Sequence, residues 1–368
     1  MKKKKIAVIG LKGLPAFGGA ATVGENIIEQ LKDKYDFTVY STASHTNLKT
    51  GNYNGYKQIV FKKIRSKKLN TLYYYILSAL HAVLFEKYSI IHLHHRDAAF
   101  ITLILKLRYK VILTTHGTFE IREKWKKYSL YFRIQEYLFL RFANILTCVS
   151  KNEKRQINTN IKKNALYIPN GINKIDVNAY VKDSDYIFFS AGRIIHSKGC
   201  DILMKALKVM NYQGSILIAG DIDQTMEYKN LILSLSKGLN VNFLGLIKHK
   251  ELLLSYCKKA KLFIFPSSIE AMSIMLLEAA SQKVPIIASG IIENKDIFND
   301  DQVLYFDTDN VNDLAEKIEW ALSNSSKMAK KADNAYQKLF RYYLWENISK
   351  KYANIYNEVA ERNVNQQK

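Results

Sequence analysis

The hydrophobic and polar positions of the chain form two alternating kinds of segment. Short apolar runs rich in β-branched residues, each followed by loop residues, predict strands. Longer segments with apolar residues at helical spacing, such as ENIIEQLKDK at 25–34, separate these runs. This pattern predicts a βαβ series, and therefore parallel sheets covered by helices. The predicted strands lie at 5–11, 37–41, 89–94, 110–116, 144–150, 186–192, 214–220, 241–245, 260–267 and 285–289.

A turn signal at Pro169, Asn170 and Gly171 divides this series in two. We expect an α/β architecture of two Rossmann-like parallel-sheet domains that face each other across a cleft. The first domain is predicted at 1–168 and the second at 169–335. A helical tail at 336–368 follows, for which packing back on the first domain is one option. Because parallel sheets bind ligands at the carboxyl ends of their strands, we expect the site in the cleft.

Composition indicates a globular protein of a reducing compartment. The 368 residues are 48% hydrophobic and 24% charged, which is typical of folded domains. The three cysteines are odd in number and widely spaced, which excludes a disulfide framework. The apolar run after the first lysines has only six residues, too short for a signal peptide, and no stretch reaches the roughly 18 apolar residues of a membrane span. We expect a cytoplasmic location.

The net charge of +22 is concentrated in the first half of the chain. Residues 1–170 contain about 30 Lys and Arg against about 10 Asp and Glu, and the remainder contains 25 against 23. Two segments, 61–85 and 122–142, combine this charge with Tyr, Trp, Phe and Leu. That mixture favours an anionic membrane surface, here the inner face of the plasma membrane. A solvated basic face is the alternative; nucleic acid is not expected, because no nucleic-acid-binding motif is present.

A glycine-rich segment, GLKGLPAFGGAATVGENI, follows the first predicted strand at 10–27. Its spacing is not that of the dinucleotide-binding G-x-G-x-x-G fingerprint. Gly18 and Gly19, placed before a predicted helix, would still offer backbone N–H groups to an anion. The alternative is a tight strand-to-helix turn without a ligand.

Two cations, Arg193 and Lys198, lie in the loop after the strand predicted at 186–192. They would converge if this loop folded over a diphosphate, because Arg offers a planar fork and Lys a mobile point charge. The alternative is a pair of solvated side chains.

Two glutamates stand eight residues apart in SSIEAMSIMLLEAASQ at 267–282. A helix is predicted to begin near Met272. Glu270 then lies at the mouth of the helix, and Glu278 lies about two turns along it, roughly 80° around its axis from Glu270. A ligand that extends from the loop into the first turns could contact both. Alternatively, Glu270 only complements the helix N-terminus and Glu278 lies at the helix edge.

Aspartate and histidine clusters give weaker signals. Asp221 and Asp223 follow a predicted strand and could hold a divalent metal, although turn capping is the favoured explanation. His92 and His94 share one face of a predicted strand and His95 does not, which disfavours a metal site.

His116 ends the strand predicted at 110–116 and precedes Gly117 in the segment TTHGTFE. A single histidine at a strand end is either a packed or capping residue or part of a site.

Six segments resemble, in order, the retaining GT-B glycosyltransferases of glycosyltransferase family 4. They are GLPAFGG, TTHG, IPNGI, AGRIIHSKG, VNFLGLI and PSSIEAMSIMLLEAASQKVPIIAS. The last of them resembles the E-x7-E signature of the family, and together they span almost the whole chain. The opening GLPA and GG are similar to a subgroup that acts in bacterial surface-polysaccharide assembly.

The resemblance implies a nucleotide-sugar donor held mainly by the second domain. Arg193 and Lys198 would neutralise its diphosphate, so that neither a metal nor another cofactor is expected. Glu270 would contact the transferred sugar, Glu278 the ribose hydroxyls, and His116 would lie beside the sugar near the acceptor. The other substrate-binding residues that it implies are Gly18, Gly19, Asn170, Gly245, Leu246, Ile247, Met272, Ser273 and Ile274.

The chain departs from the family pattern in two places. Many members have Gly-Phe-Gly after the first glutamate, where this chain has Ala271, Met272 and Ser273. A second glycine is usual two residues after Gly220, where this chain has Ile222. The first departure bears on which sugar fits, and the second on the edge of the nucleotide pocket.

We therefore expect a retaining, metal-independent glycosyltransferase that moves a sugar, with a UDP-sugar favoured, to a lipid-linked or glycan acceptor in cell-surface polysaccharide assembly. One alternative is a non-catalytic GT-B partner subunit that binds glycan or protein. Another is a metal-dependent transferase built on Asp221 and Asp223. A nicotinamide oxidoreductase is disfavoured by the missing fingerprint.

Overall fold

The computed structural model describes residues 3–16, 18–117, 137–175, 177, 181 and 185–364. The chain divides into two compact units, the first made of Met1–Gly171 and Trp345–Lys368 and the second of Ile172–Leu344. The second unit thus begins three residues later and ends nine residues later than the second domain predicted from the sequence.

The first unit contains a sheet of eight strands among the described residues. These are β1 (Lys4–Lys12), β2 (Tyr35–Thr42), β3 (Gly51–Tyr53), β4 (Tyr56–Phe61), β5 (Ile90–His94), β6 (Val111–Thr115), β7 (Ile145–Cys148) and β8 (Ala165–Tyr167). Their order is β3-β4-β2-β1-β5-β6-β7-β8, and every pair is parallel except the β3–β4 hairpin. The central strand β1 is buried almost throughout, as expected for a parallel strand covered by helices on both faces.

The second unit contains a sheet of six strands among the described residues, all of them parallel. These are β9 (Tyr186–Arg193), β10 (Ser215–Asp221), β11 (Val241–Gly245), β12 (Leu262–Phe265), β13 (Ile286–Ser289) and β14 (Leu304–Phe306). Their order is β11-β10-β9-β12-β13-β14. The ten strands predicted from the sequence are confirmed; β3, β4, β8 and β14 are additional.

Helices connect the strands in both units. The first unit contains α1 (Gly19–Leu31), α2 (Lys67–Phe85), α3 (Thr102–Leu105) and α4 (Lys151–Gln156). The second contains α5 (Cys200–Val209), α6 (Met226–Ser236), α7 (Lys250–Lys259), α8 (Ile274–Ser281), α9 (Ile292–Lys295), α10 (Val311–Ser323) and α11 (Ser325–Tyr342). The last helix, α12 (Trp345–Val364), returns to the first unit.

The last helix is fixed to the first sheet by side-chain hydrogen bonds. The hydroxyl of Tyr35 donates to the carbonyl of Ala353 at 3.1 Å, and the hydroxyl of Tyr356 lies 2.7 Å from Nδ1 of His92. Tyr352 and Tyr356 are fully buried there.

Both units are Rossmann-like α/β domains with parallel sheets, as the sequence predicts. Among the described residues, no helix has the length and apolar character needed to cross a membrane.

Candidate functional site

The strand order of the second unit creates a switch point between β9 and β12. The chain adds β10 and β11 on one side of β9, and β12, β13 and β14 on the other. Loops that follow β9 and β12 therefore leave the same edge of the sheet in opposite directions, which opens a crevice at the carboxyl ends of these strands. Lys198 lies in the first of these loops and Glu270 in the second.

Lys198 and Glu270 form an ion pair at this switch point. Nζ of Lys198 lies 2.5 Å from Oε1 of Glu270, and the side chains are 25% and 11% exposed. The sequence did not predict that these two residues pair with each other. The pair places one cation and one anion, both partly shielded from water, at the edge where a parallel sheet binds ligands.

The two loops that carry this pair are held together through their backbones. The amide of Ser268 donates to the carbonyl of Ser197 at 3.0 Å. Gly199 has a φ of +69°, and a Cβ on it would lie 2.9 Å from the carbonyl carbon of Pro266 and closer still to its oxygen. Only glycine allows this approach, so the position of Lys198 relative to Glu270 depends on Gly199.

Helix α8 begins next to this pair. Its first residue is Ile274, two residues after the predicted start near Met272, and Ser273 caps it by accepting a hydrogen bond from the amide of Leu276 at 3.4 Å. Met272 and Ser273 are both buried. The first amides of a helix have no partner within the helix and carry a partial positive charge, so this end attracts anions.

Glu278 lies inside α8 and pairs with a residue that the sequence did not single out. Its side chain is almost buried, and Lys250, the first residue of α7, donates a hydrogen bond to its Oε1. Burial raises the pKa of Glu278, while Lys250 acts in the opposite direction. No motif marks Lys250, because its position depends on how α7 and α8 pack.

The remaining predicted residues of the second unit also follow strands. Arg193 is the last residue of β9, is exposed, and forms no ion pair with another described residue. Gly245 ends β11 with a φ of +67°, and Leu246 and Ile247 follow it, partly buried. Since β11 is two strands from β9, these residues begin about 10 Å from the Lys198 loop along the sheet.

The aspartates Asp221 and Asp223 form a turn. The amide of Asp223 donates to Oδ1 of Asp221 at 2.9 Å, and Lys229 pairs with the carboxylate of Asp223 at 2.6 Å. The turn-capping explanation is thus confirmed. No cluster of three metal-ligating side chains suited to a metal ion occurs in the described part of the chain.

The first unit has its own switch point between β1 and β5. Gly10, near the end of β1, has a φ of +112° and packs directly on the backbone of His94 at the end of β5. Gly18 is the N-cap of α1 and Gly19 is its first residue, and both have open space where a Cβ would stand. Asn170 is buried near the end of this unit.

Four histidines gather at the carboxyl ends of β5 and β6. The rings of His92 and His94 are 4.1 Å apart, which confirms that they share one face of the strand. Nδ1 of His94 lies 3.1 Å from Nε2 of His116, and the ring of His95 is 5.4 Å from that of His116. Burial lowers the pKa of His92 and of His116 to about 3, so both rings are neutral at physiological pH.

A buried ion pair supports the backbone next to His116. Oε2 of Glu153 accepts a hydrogen bond from the amide of Gly117 at 3.3 Å, and Oε1 lies 3.3 Å from Nε of Arg96. Both charged side chains are more than nine-tenths buried. Glu153 was missed in the sequence because its partners are distant along the chain, and His94 was considered there only as a metal ligand, not as a partner of His116. Residues 118–136, which include most of the second basic aromatic segment, lie outside the described residues.

A cavity of about 520 Å³ lies beside the glycine-rich loop of the first unit. Its wall includes Leu14 and Pro15 of the loop, Glu25 of α1, and the rings of Tyr53 and Tyr56. Oε1 of Glu25 accepts a hydrogen bond from the amide of Ala16 at 3.1 Å, which ties the wall of the cavity to the loop. Burial raises the pKa of Glu25.

Two family models match consecutive parts of the chain. The model described as Glycosyltransferase Family 4 matches residues 17–174, and the model described as Glycosyl transferases group 1 matches residues 173–338. Among similar proteins, the O-antigen biosynthesis glycosyltransferase WclY of Escherichia coli is 23% identical over 355 residues, which cover 87% of this chain and 94% of the relative.

Solved structures share the fold of both units. Sucrose-phosphate synthase of Thermosynechococcus elongatus has a TM-score of 0.84 at 20% identity, over 97% of this chain and 99% of that chain. HepE of Anabaena, solved in complex with UDP and glucose, has a TM-score of 0.75 at 16% identity, over 96% of this chain and 100% of that chain. At these identities the likeness shows the fold alone.

Proposed function

This chain belongs to the GT-B glycosyltransferases of the group 1 and family 4 type, and on that premise we propose that it transfers a sugar from a nucleoside-diphosphate donor with retention of anomeric configuration. We propose a UDP-sugar as the donor and a lipid-linked or glycan acceptor of cell-surface polysaccharide assembly as its partner. The UDP of the HepE complex and the O-antigen assignment of WclY support these choices.

The Lys198–Glu270 pair at the β9–β12 switch point is the observation that carries this proposal. Cleavage of the bond between the sugar and the diphosphate leaves negative charge on the phosphate and positive charge on the sugar. Lys198 and the N-terminus of α8 stabilise the first charge, and the Glu270 carboxylate contacts the sugar hydroxyls. Arg193, at the end of the same strand, adds a second cation for the diphosphate.

Glu278 binds the ribose in this proposal. Its position five residues into α8 and its burial suit a carboxylate that accepts hydrogen bonds from hydroxyls rather than one that transfers protons. The two glutamates therefore bind different parts of one donor, unlike the acid and base carboxylates that flank a single bond in a glycosidase.

The test is nucleoside-diphosphate release from a panel of sugar nucleotides with lipid-linked acceptors. Lys198→Ala should lower kcat by about 10²- to 10³-fold, the usual effect of removing one group that stabilises transition-state charge. Lys208→Ala is the matched control, because Lys208 is an exposed lysine on α5. Equal activity of the two variants, or no turnover with any donor in the panel, contradicts the proposal.

Retention and metal independence have separate readouts. We expect the anomeric signal of the product to match that of the donor in proton NMR, and turnover to persist in excess chelator. An inverted product refutes retention, and a loss of turnover in chelator that Mg²⁺ or Mn²⁺ restores refutes metal independence.

We also propose that the first unit binds an anionic membrane surface through α2 and α3. Helix α2 buries one face in the unit, yet its other face is also apolar and exposed. The exposed apolar residues of these helices and the turn that follows are Leu69, Leu72, Tyr73, Leu80, Leu84, Phe85, Leu103 and Leu107. Lysines and arginines flank this face at 62–65 and 106–108. An exposed apolar face rimmed by cations suits lipid tails and anionic headgroups together.

Co-sedimentation with liposomes tests this surface. Binding should increase with the fraction of anionic lipid and decrease with salt. Replacing Leu84 and Phe85 with serine should weaken binding, whereas Met226→Ser, which changes an equally exposed apolar residue of the second unit, should not. Binding that is independent of lipid charge contradicts the proposal.

A further inference from the structure

The histidine cluster of the first unit contains one ring nitrogen whose environment constrains its neighbours. Nε2 of His94 is buried and has no hydrogen-bond partner among the residues that the structure describes. The nearest ring, His92, cannot supply one, because its Nδ1 bonds the hydroxyl of Tyr356 and its Nε2 bonds the hydroxyl of Thr114, each at 2.7 Å. Within the described part of the chain, the His94 ring is therefore hydrogen-bonded through Nδ1 alone, to Nε2 of His116 at 3.1 Å.

The hydrogen bond between the neutral rings of His94 and His116 can have only two donor–acceptor arrangements. If Nε2 of His116 donates, the proton of His94 must lie on its Nε2, where a buried N–H would have no acceptor. If Nδ1 of His94 donates, its Nε2 is left as a bare lone pair. The second arrangement is favoured because buried N–H donors without a partner are the rarer defect in native proteins.

We propose that His94 is a positioning residue that holds His116 in the tautomer protonated on Nδ1, so that His116 donates a hydrogen bond to the substrate and does not act as a general base. In this arrangement Nε2 of His116 is occupied as an acceptor and Nδ1 already carries the proton. The neutral ring keeps a donor at a fixed place without adding a charge that would oppose positive charge developing on the sugar. The substrate role of His116 rests on the proposed glycosyl transfer, in which the family resemblance puts His116 beside the sugar, whereas its tautomer does not.

The remainder of the cluster makes this arrangement rigid. The hydroxyl of Thr114 lies 2.6 Å from that of Thr147, so the chain of hydrogen bonds runs from α12 through His92 into β6 and β7. The His92 ring packs on His94, and Gly10 packs on the backbone of His94. His94 thus has little room to rotate, and the tautomer of His116 is determined by the fold.

NMR of the protein labelled with ¹⁵N-histidine tests the tautomer directly. Two-bond nitrogen–proton correlations distinguish the two tautomers, and the His116 signals are those missing from the spectrum of His116→Ala. We expect the proton of His116 on Nδ1. A proton on Nε2 overturns the inference, whether or not a donor sugar has been found.

Two substitutions at His94 test the positioning role. His94→Asn keeps an amide donor near the place of Nδ1 and should retain both the tautomer and most of kcat. His94→Leu removes the donor and should lower kcat by about 10- to 100-fold, with the donor KM little changed, because the bound sugar would meet a misplaced group. If His94→Leu fails to fold, the wild-type and His94→Asn spectra still decide the tautomer.

A double-variant comparison separates this role from a purely structural one. If His94 acts through His116, adding His94→Leu to His116→Ala should not lower kcat further. Additive losses would show that His94 supports the fold independently of His116 and would overturn the positioning role.

Discussion

Replacing Gly199 with alanine tests whether the distance between Lys198 and Glu270 controls activity. The residue has a φ of +69°, and the Cβ of an alanine there would collide with the carbonyl of Pro266, at the start of the neighbouring loop after β12. Ordinary contact begins at 3.4 Å, so the loops must separate by about 1 Å. That separation also breaks or lengthens the hydrogen bond that the Ser268 amide donates to the Ser197 carbonyl.

The expected magnitude has two parts. The left-handed backbone costs an alanine roughly 1–2 kcal/mol, which lowers the unfolding temperature by several degrees. A displacement of about 1 Å between groups of a catalytic site costs about 100-fold in kcat. Gly199→Ala should therefore lose moderate stability and most of its activity.

Gly238→Ala separates these two effects. Gly238 has a φ of +82°, but a Cβ there has no atom within 4 Å. The residue precedes β11 and thus lies at the amino ends of the strands, whereas the Lys198 loop lies at their carboxyl ends. Gly238→Ala should lower the free energy of unfolding by the same roughly 1–2 kcal/mol as the backbone strain in Gly199→Ala, and it should retain kcat. The assays are thermal unfolding and steady-state turnover of both variants. If Gly199→Ala keeps a kcat close to that of Gly238→Ala, loop spacing does not control the site and the reasoning is wrong.

Three other substitutions test separate parts of the site. Lys250→Met should raise the pKa of Glu278 further, because the lysine lowers it in the wild type. The folded carboxyl then binds its proton more tightly than the unfolded one, so the variant should lose stability relative to wild type as pH rises above about 4.5. Thermal unfolding between pH 4.5 and 8 measures this loss. A pH-independent difference would contradict this. Glu153→Gln takes the Glu153 carboxylate away from the buried Arg96 and should lower the free energy of unfolding by roughly 3–5 kcal/mol in denaturant titrations, so a loss below about 1 kcal/mol would show that the pair adds little. If the cavity beside the glycine-rich loop binds acceptor sugar, Tyr56→Ala should raise the KM for a glycan acceptor and leave the KM for the donor unchanged. A raised donor KM with an unchanged acceptor KM would refute this assignment.

The sequence predicts the strands of the fold where burial on both faces produces an apolar run. The central strands are of this kind, and β1, β5 and β6 are recognisable from Ile, Val and Leu alone. The strands it misses are short: β3, β8 and β14 have only three residues each, too few for a period to be read. The missed strand β4 pairs with β3 near the sheet edge, where four of its six residues are only partly buried.

The sequence also predicts which residues stand at strand ends, because parallel strands deliver their loops to one edge. It does not predict which of these residues meet. His94 contacts His116 because β5 and β6 pair with His94 opposite Thr114, and the sequence of neither strand alone predicts this register. Lys250 meets Glu278 through helix packing, which depends on the whole core of the second unit. Local pattern therefore identifies the members of a site better than their partners.

The lysine partners explain how the two glutamates are tolerated in partly buried positions. Neither carboxylate stands alone in its apolar surroundings: Lys198 pairs with Glu270, and Lys250 pairs with Glu278. A buried carboxylate without a cation would cost several kcal/mol, and the lysines offset this cost. On the proposed function, a diphosphate gives Lys198 a second, more highly charged anionic partner. Glu270 is then released to accept hydrogen bonds from sugar hydroxyls, which replace Lys198 as the partners of its carboxylate when the donor binds. A lone lysine would attract any phosphate, whereas a lysine already paired with Glu270 exchanges partners most favourably with a ligand that also supplies hydroxyls to the glutamate. If the proposed function holds, the pair thereby favours a sugar nucleotide over a nucleotide alone.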